Sequence, residues 1–303
     1  MTILTVPRLL VPRRLTGSGP EGAARADGAP RTDPARGAGT RADAAAPAPA
    51  EPDRWTDAPA RAGGSAPAYA PARPGDSPAA HAPARPGGGR WPDPGPEVWL
   101  VDATEYRTHA HRCAPGTLDA QELARAAEFV RAADRDSYVC AHVALRRLLG
   151  AYLGIPPREV TVERAPCAHC DEPHGRPVLP GGALHFSLSH CTGLSLLAFA
   201  TAPVGVDVEE VVPAATIAET ADVLHPREAA ELALLPAAER PVAFTRVWTR
   251  KEAYLKGLGV GLSTDPAADY VGSGPDPAPL PGWSLTDVAV PPGHCAAVAL
   301  STP

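Results

Sequence analysis

The first ninety-five residues cannot build a packed core, and that decides where any fold must sit. They hold 17 of the chain's 38 prolines and 13 of its 28 glycines, interleaved with alanine and arginine and without a hydrophobic period. Proline and glycine at about a third of a segment is a low-complexity composition. Such chain buries too little apolar surface to offset the entropy of ordering it. Residues 1–95 are therefore expected to be a disordered extension, or an overlong gene start, and the fold to occupy 96–303. Charge divides at the same place: 12 arginines against 9 acids before it, and 16 basic against 25 acidic residues after it. An acidic folded part lacks the basic face that a nucleic-acid backbone requires.

Other classes fall away with equal directness. No run of 18 apolar residues exists, so no membrane span is expected. Pro7 and Pro12 break the opening MTILTVPRLLVPRRL, which makes a poor signal peptide. Six cysteines in 303 residues do not make a disulfide scaffold, and a cytoplasmic location is the default. The lysines are more informative. Only Lys251 and Lys256 occur, against 26 arginines, and they lie five residues apart in WTRKEAYLKGLG. A lysine is a compact point charge where an arginine is a flat fork, so a site that meets one oxygen has a reason to keep it.

From 97 onward the pattern is mixed α/β (α+β). VWLV (98–101) reads as a strand, 118–152 as helical with a stop at Gly154 and Pro156, and VTVER (160–164) as a strand. LHFSLSH (184–190), LSLLAFA (194–200) and VGVDVEEV (204–211) are apolar strands separated by short turns. A helical region near Thr216 and PREAAELALL (226–235) precede the clearest helix, 244–259, stopped by Gly257 and Gly259. WSLTDVAV (283–290) and CAAVAL (295–300) read as closing strands. Strands and helices thus occur twice in similar order, giving subdomains 96–202 and 203–303.

Four constellations carry chemistry. Asp207 and Glu209, at i and i+2, share one face of an apolar strand. Two adjacent carboxylates there repel unless a hard cation such as magnesium lies between them, or unless the strand end simply emerges into solvent. Glu252 and Lys256, at i and i+4, share a helix face. Alone they read as a surface pair; with Asp207 and Glu209 they become a third carboxylate and a cation for phosphate charge. Ser189 and His190 end a strand, and adjacent strand residues face opposite ways, so they cannot act as nucleophile and base. They suit phosphate binding, as does Arg176 in the turn Gly175-Arg176-Pro177.

In this order GRP, FSLSHCTG, PVGVDVEEV and FTRVWTRKEAYLKGLGVGL resemble the successive signatures of the Sfp-type 4′-phosphopantetheinyl transferases. The motifs span 175–262, and element order extends the likeness over roughly 97–303. The resemblance implies a monomer of two similar halves related by a pseudo-twofold axis, with coenzyme A in the cleft between them and Mg²⁺ on its pyrophosphate. It implies metal ligation by Asp207, Glu209 and Glu252, and coenzyme A contacts from Arg176, Ser189, His190 and Lys256. His190 would meet the 3′-phosphate, and Lys256 the leaving pyrophosphate oxygen. Arg176 stands where many members have lysine. Glu228 falls where some have a further acid near the metal. Ser137 stands where a basic phosphate contact is common, with Arg135 and Arg146 as neighbours able to replace it. The implied reaction moves the phosphopantetheine arm of coenzyme A onto a serine of an acyl or peptidyl carrier protein and releases 3′,5′-ADP. Glu252 would take the serine proton. Fatty-acid, polyketide and nonribosomal-peptide carriers are the family's acceptors.

Three readings compete. A catalytically inactive binder of carrier protein or coenzyme A would share the fold, although all three acids are present. A different magnesium-dependent transferase acting on nucleotide diphosphates is another. CAHC with Cys167, Cys170 and His174 offers three soft ligands where a structural zinc site wants four, so reduced loop cysteines are preferred to a zinc-dependent interaction module.

Overall fold

A computed structural model describes residues 13–15, 95–166, 175–220, 223–261 and 264–303. Of the extension expected to be structureless, the strand β1 (Arg13–Leu15) is described; it lies antiparallel on β2 (Glu97–Asp102). Apart from that strand, residues 1–94 lie outside the described residues, as do Cys167, Cys170 and His174 of the CAHC motif.

The helical region foreseen from 118 begins earlier and is three helices: α1 (Ala103–Thr117), α2 (Ala120–Glu128) and α3 (Ala132–Leu153). Asp102 caps α1 by accepting from the Thr104 N–H. Asp119 and Glu122 form a reciprocal capping box on α2. Gly154, at φ 69°, ends α3 in the left-handed conformation, which a residue with a Cβ resists. The strand foreseen at 160–164 shrinks to β3 (Glu163–Arg164), paired with β4 (Pro177–Val178).

Next come β5 (His185–Cys191), β6 (Leu194–Ala200) and β7 (Val204–Glu210), then α4 (Ala214–Thr220), α5 (Pro226–Leu234) and α6 (Arg240–Leu258), then β8 (Trp283–Asp287) and β9 (His294–Ser301). The strands form a four-stranded antiparallel sheet, β1-β2-β6-β5, and a three-stranded one, β7-β9-β8. The chain passes from the first sheet to the second between β6 and β7. Alternation along the strands sorts their faces. Leu194, Leu196 and Ala198 of β6 meet Val206, Val208 and Val298 in a core shared by both sheets. Leu197 and Phe199, on the other face of β6, pack with α1–α3. Ala297 and Ala299 of β9 pack on Ala253 of α6. The result is a helix–sheet–sheet–helix stack with α6 on the outer face of β7 and β9.

An irregular segment, 264–282, is tied to the far side of α6 by cations. Arg250, fully buried, donates from Nε and Nη2 to both Asp287 oxygens at 2.7 and 2.6 Å, and also to the carbonyls of Gly272 and Pro275. Lys251 Nζ lies 2.9 Å from Glu228 Oε2 and donates to the carbonyls of Pro266 and Asp269. Arg250→Met removes a fully buried cation from its pair with the one-third exposed Asp287 and strands two buried-side carbonyl contacts. It is expected to cost about 3 kcal/mol, read from the urea midpoint at unchanged m-value; a loss under 1 kcal/mol would refute it.

Candidate active site

Three elements meet at one buried carboxylate. On β7, Gly205, Asp207 and Glu209 occupy the face toward α6. Gly205 is required there: a Cβ would stand 2.0 Å from the Ala253 carbonyl oxygen and 2.3 Å from the Gly257 nitrogen. Helix and strand backbones therefore touch, and they run in opposite directions, since the Val212 N–H beyond β7 donates to Thr245 Oγ1 near the start of α6. This brings the Glu252–Lys256 face of the helix over the carboxylates of the strand.

Asp207 is only 1% exposed. Its Oδ1 accepts from Ser189 Oγ at 2.7 Å and from Lys256 Nζ at 2.9 Å, and Lys256 also donates to Ser189 Oγ at 3.0 Å. Ser187, two residues earlier on β5, accepts from the Val206 N–H. Two serine hydroxyls thus stitch β5 to β7 across the join between the sheets. Asp207 Oδ2 is buried and receives no hydrogen bond among the described residues, and Glu252 Oε1 is a second buried oxygen of that kind. Buried carboxylate oxygen of this sort is normally matched by a donor or a cation. The donor set is oxygen only, which fits a hard divalent ion. Among the described residues, however, no three His, Cys, Asp or Glu side chains already stand grouped around one metal position. Beside Asp207 Oδ1, the positive charge in place is Lys256.

Other residues singled out from the sequence are placed as follows. Ser189 and His190 do point opposite ways: Ser189 faces Asp207, and His190 lines a cavity of ≈ 790 Å³ on the helical side of the sheet. Phe129, Tyr138, Arg125, Arg158 and Arg164 share that wall. Arg176 is half-buried against the C-terminal end of α6, where Nη1 donates to the Gly257 carbonyl at 2.6 Å and the rest of its side chain lies close over Gly259. Burial lowers its ionisation from the ordinary arginine value, a shift that leaves a guanidinium charged at neutral pH.

Two assignments change. Glu228 is fully buried and engaged with Lys251, the Val271 N–H and the His225 N–H, so it closes the α5–α6 junction. Lys251 is retained for that junction, on the far side of the helix from Lys256. Arg146 is buried against Asp119 and Glu122 and donates to the carbonyls of Pro157, Arg158 and Val160. It is structural, and Arg125, Arg158 and Arg164 are the cavity cations that sequence reasoning passed over. Arg164 lies in VTVER, whose alternation announces a strand and not a ligand, and Arg158 lies in the short turn before it. Cys140 and Cys191 are free thiols that burial pushes up to about 12, which leaves them protonated and inert.

No helix among the described residues is long and apolar enough to cross a membrane. The model of the 4′-phosphopantetheinyl transferase superfamily matches residues 203–290, which carry β7 and α6. The chain is 26% identical over 121 residues to the 4′-phosphopantetheinyl transferase Sfp of Bacillus subtilis, covering 39% of this chain and 54% of that one. A putative 4′-phosphopantetheinyl transferase of Synechocystis, slr0495, is 26% identical over 175 residues, covering 56% and 67%. The 4′-phosphopantetheinyl transferase HetI of Nostoc is 35% identical over 195 residues, covering 61% of this chain and 79% of that enzyme. With the family model covering the strand and helix that meet at Asp207, and a relative 35% identical over 79% of its own length, the chain belongs to the 4′-phosphopantetheinyl transferase family and is an enzyme of that kind.

Proposed function

We propose that the protein transfers phosphopantetheine from coenzyme A to a carrier-protein serine with the help of Mg²⁺, and that 3′,5′-ADP leaves. The observation that carries the reading is the convergence of β5, β7 and α6 on Asp207, with a buried oxygen left over and a lysine beside it. Asp207, Glu209 and Glu252 are the residues that would hold the ion, which supplies charge neutralisation at the pyrophosphate when bound. His190, with Arg125, Arg158 and Arg164, lines a cavity that also carries Glu128, Glu159 and Glu163, and its guanidinium and imidazole groups can meet the 3′-phosphate of coenzyme A. Phe129 and Tyr138 give the same cavity aromatic surface for the base. Arg176 extends the cationic rim toward the end of α6. Lys256 meets charge on the departing phosphate, and Glu252, one turn away on the same helix face, takes the proton of the incoming serine. The nucleophile belongs to the partner, which is why the site needs none of its own.

On this reading 96–202 and 203–303 are two halves of one catalytic unit, related by a pseudo-twofold axis, working as a cytoplasmic monomer. Fatty-acid, polyketide or nonribosomal-peptide carriers serve as acceptors. The test is mass spectrometry of an apo-carrier incubated with coenzyme A and Mg²⁺. A gain of one phosphopantetheine, abolished by chelation and restored by Mg²⁺, is expected. Coenzyme A binding without any mass gain across all three carrier classes would replace this reading with that of an inactive binder.

A further inference from the structure

Lys256 has two uses in the same place, and the structure shows one of them. The proposed reaction asks it to meet phosphate, yet its Nζ is held by Asp207 Oδ1 and Ser189 Oγ. Asp207 is almost fully buried, and a carboxylate taken out of water needs a compensating charge close by. Lys256 is 23% exposed at its side chain, so it reaches Asp207 from the solvent side and has room to leave. The same carboxylate carries the buried oxygen Oδ2, which accepts no hydrogen bond among the described residues.

Resting on the reading above, we propose that Lys256 is a resting-state counter-ion: it occupies the carboxylate pocket until a divalent cation displaces it, and the displacement releases it toward the phosphate. Ser189 is the second half of the latch. It accepts from Lys256 while donating to Asp207, so it stabilises the closed arrangement of all three groups. One lysine thereby serves Asp207 before the ion arrives and the substrate afterwards, and the two duties never compete.

The chain's lysine poverty makes the test clean. Only Lys251 and Lys256 exist, so side-chain labelled lysine gives two sets of NMR signals in the full-length protein. Lys251, locked to Glu228 and two carbonyls, is the internal reference. Adding Mg²⁺ without coenzyme A is expected to move the Lys256 signals and leave those of Lys251 in place. Ser189→Ala loosens the latch, so Mg²⁺ is expected to bind that variant more tightly. If the latch is closed nine-tenths of the time, the gain is about tenfold, because apparent affinity is divided by the competent fraction. The opposite sign, weaker Mg²⁺ binding in Ser189→Ala, would mean that the serine merely orients Asp207 for the ion, and would overturn the latch. Unmoved Lys256 signals at saturating Mg²⁺ would overturn it as well, as would no Mg²⁺ binding. The wild-type mass gain is read in parallel: a gain with an unmoved lysine sinks the latch alone, and no gain sinks the reading of the site.

Discussion

Asp207→Asn and Glu252→Gln are each expected to lower kcat/KM for carrier modification by about 10²–10³-fold, the usual loss when a preorganised charge is removed from a transition-state site. The two substitutions keep shape and most hydrogen-bonding capacity, so the fold should survive them. Asn at 207 can still accept from Ser189 through its amide oxygen, but it no longer offers a charge to either a divalent ion or Lys256. Glu252→Gln removes the base and one proposed ion ligand together. Their pH profiles should therefore differ: the glutamine variant loses the acidic limb set by the base, and the asparagine variant keeps it. Rates from a carrier mass-gain assay, with coenzyme A binding measured separately, decide the matter. Both variants within threefold of wild type would remove Asp207 and Glu252 from the chemistry.

How much of this was legible beforehand depended on what each element buries. The strands β5, β6 and β7 and the helix α6 showed clear periods because large apolar side chains fill their inner faces. Helix α1 escaped notice because its buried stripe is Ala103, Tyr106, Ala110, Ala114 and Thr117. Those residues are spaced as a helix requires, but small residues carry little hydrophobic signal, and Pro115 and Gly116 sit at the end of the same sequence as if to deny it. The acids and Lys256 were legible from spacing alone, since i, i+2 on a strand and i, i+4 on a helix fix a shared face.

What spacing could not reveal is which partner each charge takes. Spacing singled out Lys256 and gave Lys251 no partner, and five residues of helix turn the two to different sides: Lys251 closes the α5–α6 junction with Glu228, and Lys256 meets Asp207. The pairing of Ser189 with Asp207 was equally hidden, because β5 and β7 belong to different sheets and no sequence pattern announces that their edges meet.

Gly205→Ala is expected to be the most damaging single-atom change in the C-terminal half, and the reason lies in that same join. A Cβ at 205 would stand 2.0 Å from the Ala253 carbonyl oxygen, and backbone atoms of a packed helix cannot turn aside as a side chain can. The helix must move away from β7, at the upper end of the about 1–3 kcal/mol that overpacking costs. For a folded part of this size that corresponds to a fall in Tm of roughly 6–12 °C. Gly257→Ala is the informative contrast. Its Cβ would meet the Trp283 ring at 2.6 Å, and an indole that is half-buried can shift. Alanine also regains up to about 1 kcal/mol of helix propensity over glycine, so the net change there should stay below about 1 kcal/mol. Because α6 carries Glu252 and Lys256, Gly205→Ala should also lose transfer activity at temperatures where it is still folded, while Gly257→Ala keeps most of it. Thermal unfolding and mass-gain rates on the two variants side by side test the point: equal stabilities, or a Gly205→Ala enzyme with wild-type rates, would show that close backbone contact between β7 and α6 does not hold the site together.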